Sequence, residues 1–78
     1  MKKVVVYTAP GCAYCLFVEN FLKRNSVPFD EIDISKDKSA KERMIKISSQ
    51  ENVPVVEIGN TVIIGYDLKK MKEALDID

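Results

Sequence analysis

The chain contains no histidine, and that absence removes a large share of common enzyme chemistry. A Cys–His or Ser–His nucleophile pair is excluded, and so is a histidine-rich metal site. Cysteine is scarce as well, at two residues. Two cysteines without histidine cannot close a structural zinc site within one chain, which leaves only a site bridging two subunits. No run of about 18 apolar residues is present, so no membrane-spanning helix is expected. There is no excess of charge of either sign: 12 lysines and arginines balance 12 aspartates and glutamates. A nucleic-acid binder needs a basic face to neutralise phosphates, and this composition argues against one. The opening "MKKVVVYT" has two lysines before three valines, as a signal peptide might, but the apolar run is too short and Pro10 and Gly11 end it. The expectation is a cytoplasmic protein.

What is present fits one small domain spanning residues 1–78, with a net stability of roughly 5 kcal/mol. No internal repeat, low-complexity tract or linker interrupts it. Lys2 to Thr8 is a β-branched and aromatic run that reads as a strand buried on both faces. From Cys12 the period changes. Cys15, Val18, Phe21 and Leu22 recur three or four apart, with Glu19, Asn20, Lys23 and Arg24 between them, which predicts an amphipathic helix of about three turns. Asn25, Ser26 and Pro28 stop it. "PFDEIDI" has the length of a second strand. "SKDKSAKERMIKISSQ" reads as a helix capped by Ser35 or Asp37, with Ala40, Met44 and Ile47 as its apolar stripe. The lysines between Lys36 and Lys46 read as a solvated helix face. "VPVVEI", "GN" and "TVII" form a strand, a two-residue turn and a returning strand. Asp67 can cap a last helix that buries Leu68, Met71 and Leu75. The order β-α-β-α-β-β-α makes an α/β protein with a four-stranded mixed sheet.

Both cysteines stand in one turn, "TAPGCAYCLF". Cys12 falls where the first strand hands over to the first helix. Free backbone N–H groups and the helix dipole favour negative charge there, so the Cys12 thiol is expected to ionise more readily than a free cysteine. Cys15 lies nearly one turn on, further inside the helix and more covered. One exposed, activated sulfur and one covered partner make a nucleophile and a resolver. A Cys-x-x-Cys pair at a strand-to-helix turn of a β-α-β unit points to redox chemistry more strongly than to metal binding or simple packing. Two further stretches bear on this. Pro54, at the start of the third strand, cannot donate a ladder hydrogen bond, and a cis Val53–Pro54 bond would turn the Val53 backbone outward to pair with an extended substrate. Gly65 permits a sharp turn before the helix at Asp67, whose free N–H groups can hold a carboxylate.

Taken together, Tyr7-Thr8, Cys12-Ala13-Tyr14-Cys15, Asn52-Val53-Pro54 and Ile64-Gly65-Tyr66-Asp67-Leu68 resemble the motifs of the glutaredoxins, over nearly the whole chain. The resemblance implies a thioredoxin-like fold. It also implies a thiol–disulfide oxidoreductase that reduces protein disulfides and glutathione mixed disulfides, with glutathione as co-substrate and no resident cofactor or metal. Cys12 would attack and Cys15 resolve. Tyr14 would flank glutathione, Val53 would pair with its cysteinyl backbone beside cis-Pro54, and Gly65, Tyr66 and Asp67 would hold its γ-glutamyl end. The implied partners are glutathione and disulfide-containing or glutathionylated proteins, with no nucleic acid or membrane, and the implied state is a monomer. The chain departs from the family at Ala9, where many glutathione-using members carry a cation for the glycyl carboxylate. Arg43, Lys46 and Gln50 are the candidates to replace it. Ala13 stands where a proline is usual. The missing cation gives weight to a second reading, a glutaredoxin-like electron donor reduced by thioredoxin reductase, for example to ribonucleotide reductase. A third is a dimer holding an iron–sulfur cluster through Cys12 and glutathione.

Overall fold

The three helices of the computed structural model, which describes residues 2–77, each begin on a side chain that accepts the N–H of the residue three positions on. The elements run β1 (Val4–Thr8), α1 (Ala13–Arg24), β2 (Asp30–Asp33), α2 (Lys38–Ser48), β3 (Val55–Ile58), β4 (Thr61–Ile64) and α3 (Leu68–Leu75). Asp37 caps α2 and Asp67 caps α3 through carboxylate oxygens, 3.0 Å from the Ala40 N–H and 3.1 Å from the Lys70 N–H. The cap of α1 is the sulfur of Cys12. The position that takes a carboxylate in two helices therefore takes sulfur in the third.

The sheet order is β2-β1-β3-β4. β1 pairs with β2 in parallel (Val6 with Glu31) and with β3 antiparallel (Val6 with Val56). The β3–β4 hairpin closes over Gly59 and Asn60, with Ile58 opposite Thr61. A central strand has covered faces on both sides, which is why β1 is apolar at consecutive positions. Val4 and Val6 face one core with Val18, Leu22, Val56, Ile58 and Met71. Tyr7 faces another with Ile34, Ala40, Met44 and Val55. No helix among the described residues is long and apolar enough to cross a membrane.

Several expectations shift: β3 begins at Val55, just past Pro54, and β2 is confined to Asp30–Asp33. β1 begins at Val4, because Lys2 and Lys3 are exposed and Lys2 instead reaches along the molecule to donate to the Ala74 carbonyl at 2.8 Å. The buried side of α3 is Met71 and Ala74, with Leu75 half-buried; Leu68, expected inside, is 36% exposed in the first turn of the short helix. Glu19, expected on the solvent side of α1, is buried at 6% exposure.

Candidate active site

Gly11, at a φ of +76°, turns the chain out of β1 and into the start of α1. The left-handed backbone there is free to glycine and strained for other residues. Cys12 follows in extended geometry, and its Sγ accepts the Cys15 N–H at 3.1 Å. The two cysteines are joined as a disulfide, with their Cα atoms 5.3 Å apart. Cys12 is half-buried, whereas Cys15 is 2% exposed. Only the first sulfur is therefore presented to a substrate. An N–H aimed at that sulfur, at the positive end of a helix, stabilises the thiolate form after reduction.

The other expected stretches converge on this turn. The Val53–Pro54 bond is cis, and Pro54 is buried. Its carbonyl accepts the Gly65 N–H at 2.8 Å, which ties the proline loop to the turn before α3. Gly65 has a φ of +79°, and a Cβ placed on it would meet nothing within 4 Å, so backbone conformation alone selects glycine there. Tyr66 stacks on Tyr14, with ring centroids 6.5 Å apart, and ties the same turn to the cysteines. One carboxylate oxygen of Asp67 is engaged as the cap of α3. Phe17, not anticipated from the sequence, completes an aromatic cluster at 5.9 Å from Tyr14 and 5.6 Å from Tyr66. Tyr14 is 62% exposed, and Phe17, Ile64 and Tyr66 are also exposed. A contiguous apolar surface of this kind beside a reactive sulfur marks a contact face.

The candidates to replace a cation at Ala9 are mostly committed elsewhere. Arg43 pairs with Glu57 at 2.6 Å, and Glu57 also accepts the Tyr7 hydroxyl at 3.0 Å. Burial first, then the hydrogen bond to Glu57, pushes the Tyr7 phenol above its ordinary value. Gln50 braces the loop before Val53, accepting the Asn52 N–H at 2.8 Å and donating to the Asn52 carbonyl at 3.0 Å. Lys46 is exposed on α2.

A cavity of about 470 Å³ opens on the cysteines from the β2 side, and Ala9 lines it together with Glu19, Glu31 and Asp33. Carboxylates stand around Ala9, where the resemblance implies a cation. Burial first, then the nearby Glu31, pushes the Glu19 carboxyl up to about 7, while Lys23 pulls it the other way. The sequence did hold a signal for Glu19. It lies four residues after Cys15 and three before Leu22, so the helical period turns it inward.

Comparison with known proteins agrees with this geometry. The family model described as Glutaredoxin matches residues 4–63. The glutaredoxin of Neisseria meningitidis serogroup A is 32% identical over 80 aligned residues, covering 100% of this chain and 94% of its own length. Among solved structures, a variant of the thioredoxin-like protein BC3987 superposes with a TM-score of 0.91 at 36% identity, covering 100% of both chains. The glutaredoxin grx-1 of Archaeoglobus fulgidus gives a TM-score of 0.86 at 35% identity, covering 96% of this chain and 87% of its own.

Proposed function

Since the chain belongs to the glutaredoxin family of thiol–disulfide oxidoreductases, we propose that it reduces protein disulfides and glutathione mixed disulfides through Cys12 and Cys15, with glutathione as co-substrate. The observation that carries this reading is the Cys12 sulfur at the start of α1, receiving an N–H, with Cys15 covered behind it. The Cys12 thiolate attacks one sulfur of the substrate disulfide, and the other sulfur leaves as a thiolate. Cys15 then gives up its proton and attacks Cys12 Sγ. This expels the second substrate thiolate and forms the Cys12–Cys15 disulfide. Two glutathione thiols return the electron pair, and glutathione disulfide is released.

In this reading Tyr14 and Tyr66 flank the bound peptide, the Val53 backbone pairs with its cysteinyl unit beside Pro54, and the Gly65–Asp67 turn receives its γ-glutamyl end. The stacking of Tyr14 on Tyr66 and the Gly65–Pro54 hydrogen bond support it, because they assemble those residues at one place. A second reading has a specific observation in its favour. Carboxylates, and no lysine or arginine, line the cavity around Ala9, which suits reduction by a flavoprotein such as thioredoxin reductase better than glutathione binding.

The deciding measurement is the rate at which the oxidised protein is reduced by glutathione with glutathione reductase, against thioredoxin reductase with NADPH. Fast reduction by the first system alone is the expected result, and reduction by the second alone would replace the co-substrate assignment. Cys12→Ser is expected to abolish turnover in both. Cys15→Ser is expected to lose dithiol reduction while retaining deglutathionylation. Activity persisting in Cys12→Ser would overturn the role given to Cys12.

A further inference from the structure

The wall of the cysteine cavity that faces β2 carries three carboxyl groups, and the cations that act on them, Lys23 and Lys36, do so from exposed positions outside the lining. Glu19 from α1 and Glu31 and Asp33 from β2 line it beside Cys12 and Cys15, with no lysine or arginine among the lining residues. Asp33 accepts the backbone N–H and the hydroxyl of Ser35 at 2.9 and 2.6 Å, and these bonds hold its carboxyl below the usual range, so it is ionised near neutrality. Glu19 differs in being buried. Its side chain lines the cavity at 6% exposure, and its Oε2 has no hydrogen-bond partner among the described residues. A carboxylate taken out of water is costly unless it is paired. Glu31, on the neighbouring strand, adds to that cost instead of offsetting it. Lys23, one turn along α1, acts on Glu19 from an exposed position and does not line the cavity.

We propose that this cavity receives a positively charged group of the substrate, an ammonium or guanidinium carried a few bonds from the disulfide that Cys12 attacks. The proposal rests on the redox role of Cys12 argued above and names the substrate class for that site. A cation in the cavity offsets the charge that Glu19, Glu31 and Asp33 bring to its lining, and so lowers the cost of keeping the Glu19 carboxylate out of water. The recognised charge has two sources, a lysine or arginine beside the cysteine of a protein, or a free amine disulfide.

The test measures kcat/KM of the full chain for cystamine, which bears two ammonium groups, and for bis(2-hydroxyethyl) disulfide, which is neutral. Each rate is divided by the rate of dithiothreitol with the same disulfide, which removes intrinsic reactivity. Disulfide-linked peptides with lysine or serine beside the cysteine form a parallel pair. The expected normalised preference is about five- to tenfold for the cation at low ionic strength, collapsing in about 1 M salt. It grows as pH rises from 6 to 8, because the Glu19 carboxyl, pushed up to about 7, ionises over that range in the presence of Glu31, Asp33, Lys23 and Lys36. The double variant Glu19→Gln/Glu31→Gln brings the ratio to about one. Glu31→Lys, at an exposed position, brings it below one and keeps the test open if the double variant does not fold. A preference confined to the lysine peptide assigns the cation to protein substrates, and one confined to cystamine assigns it to small amines. Ratios near one for both pairs, or a preference unchanged in Glu31→Lys, would overturn the proposal. Failure of the unsubstituted protein to turn over the neutral disulfide would instead overturn the redox reading on which it rests.

Discussion

Position 19 of α1 holds a carboxylic acid where the helical period asks for a hydrocarbon, between Cys15 and Leu22 on the buried face. Its carboxyl ionises at about 7 in the folded chain against an ordinary 4.5. The folded state thus binds a proton that the unfolded state releases between those values. That contribution to stability is full below about pH 4.5 and is lost as pH rises through about 7. Glu19→Gln removes the dependence. In urea denaturation of the oxidised protein, the variant is expected to exceed the parent by about 2 kcal/mol at pH 8, and the difference should vanish at pH 4.5. A difference independent of pH would show that the carboxyl ionises normally. The cysteines were legible in the sequence because their spacing and their place at a strand-to-helix junction specify a redox pair. Glu19 was legible only in its helical phase, which its charge opposes. Glu31 and Asp33 gave no signal of their own. They belong to a four-residue strand whose side chains alternate only loosely.

At the scale of elements, order and boundaries were legible because turn chemistry and caps mark them. Asp37, Asp67 and the Gly59–Asn60 turn stand where the sequence places them. The face of α3 was less so. A helix of eight residues offers few turns over which to fix a phase, and Leu68 at its start is exposed while Ala74 is buried. The caps carry separable roles. Asp37→Ala, away from the cysteines, is expected to cost about 1 kcal/mol in denaturant unfolding and to leave turnover as it was. Asp67→Ala is expected to cost a similar amount, about 1 kcal/mol, and in addition to raise KM for glutathione in the steady state. Equal KM in the two variants would remove Asp67 from the glutathione cradle.

Over the whole molecule, a sheet one strand thick separates two small cores, and neither has mass to spare. Leu22 is fully buried between α1 and the sheet. Leu22→Ala is expected to cost about 3 kcal/mol, more than half of the roughly 5 kcal/mol that a chain of this length retains. Loss of a cooperative thermal transition above about 40 °C, followed by circular dichroism, is the expected outcome. An unchanged midpoint would mean that the α1 core relaxes around the gap. The distribution of tyrosine has a consequence of another kind. The chain has three tyrosines and no tryptophan. Tyr7 is sealed in the core against Glu57, while Tyr14 and Tyr66 stack beside the cystine. Ultraviolet emission from this protein is tyrosine emission, and two of its three sources sit beside the bond that opens on reduction. The molecule carries an optical reporter of its own oxidation, free of any brighter chromophore to mask it.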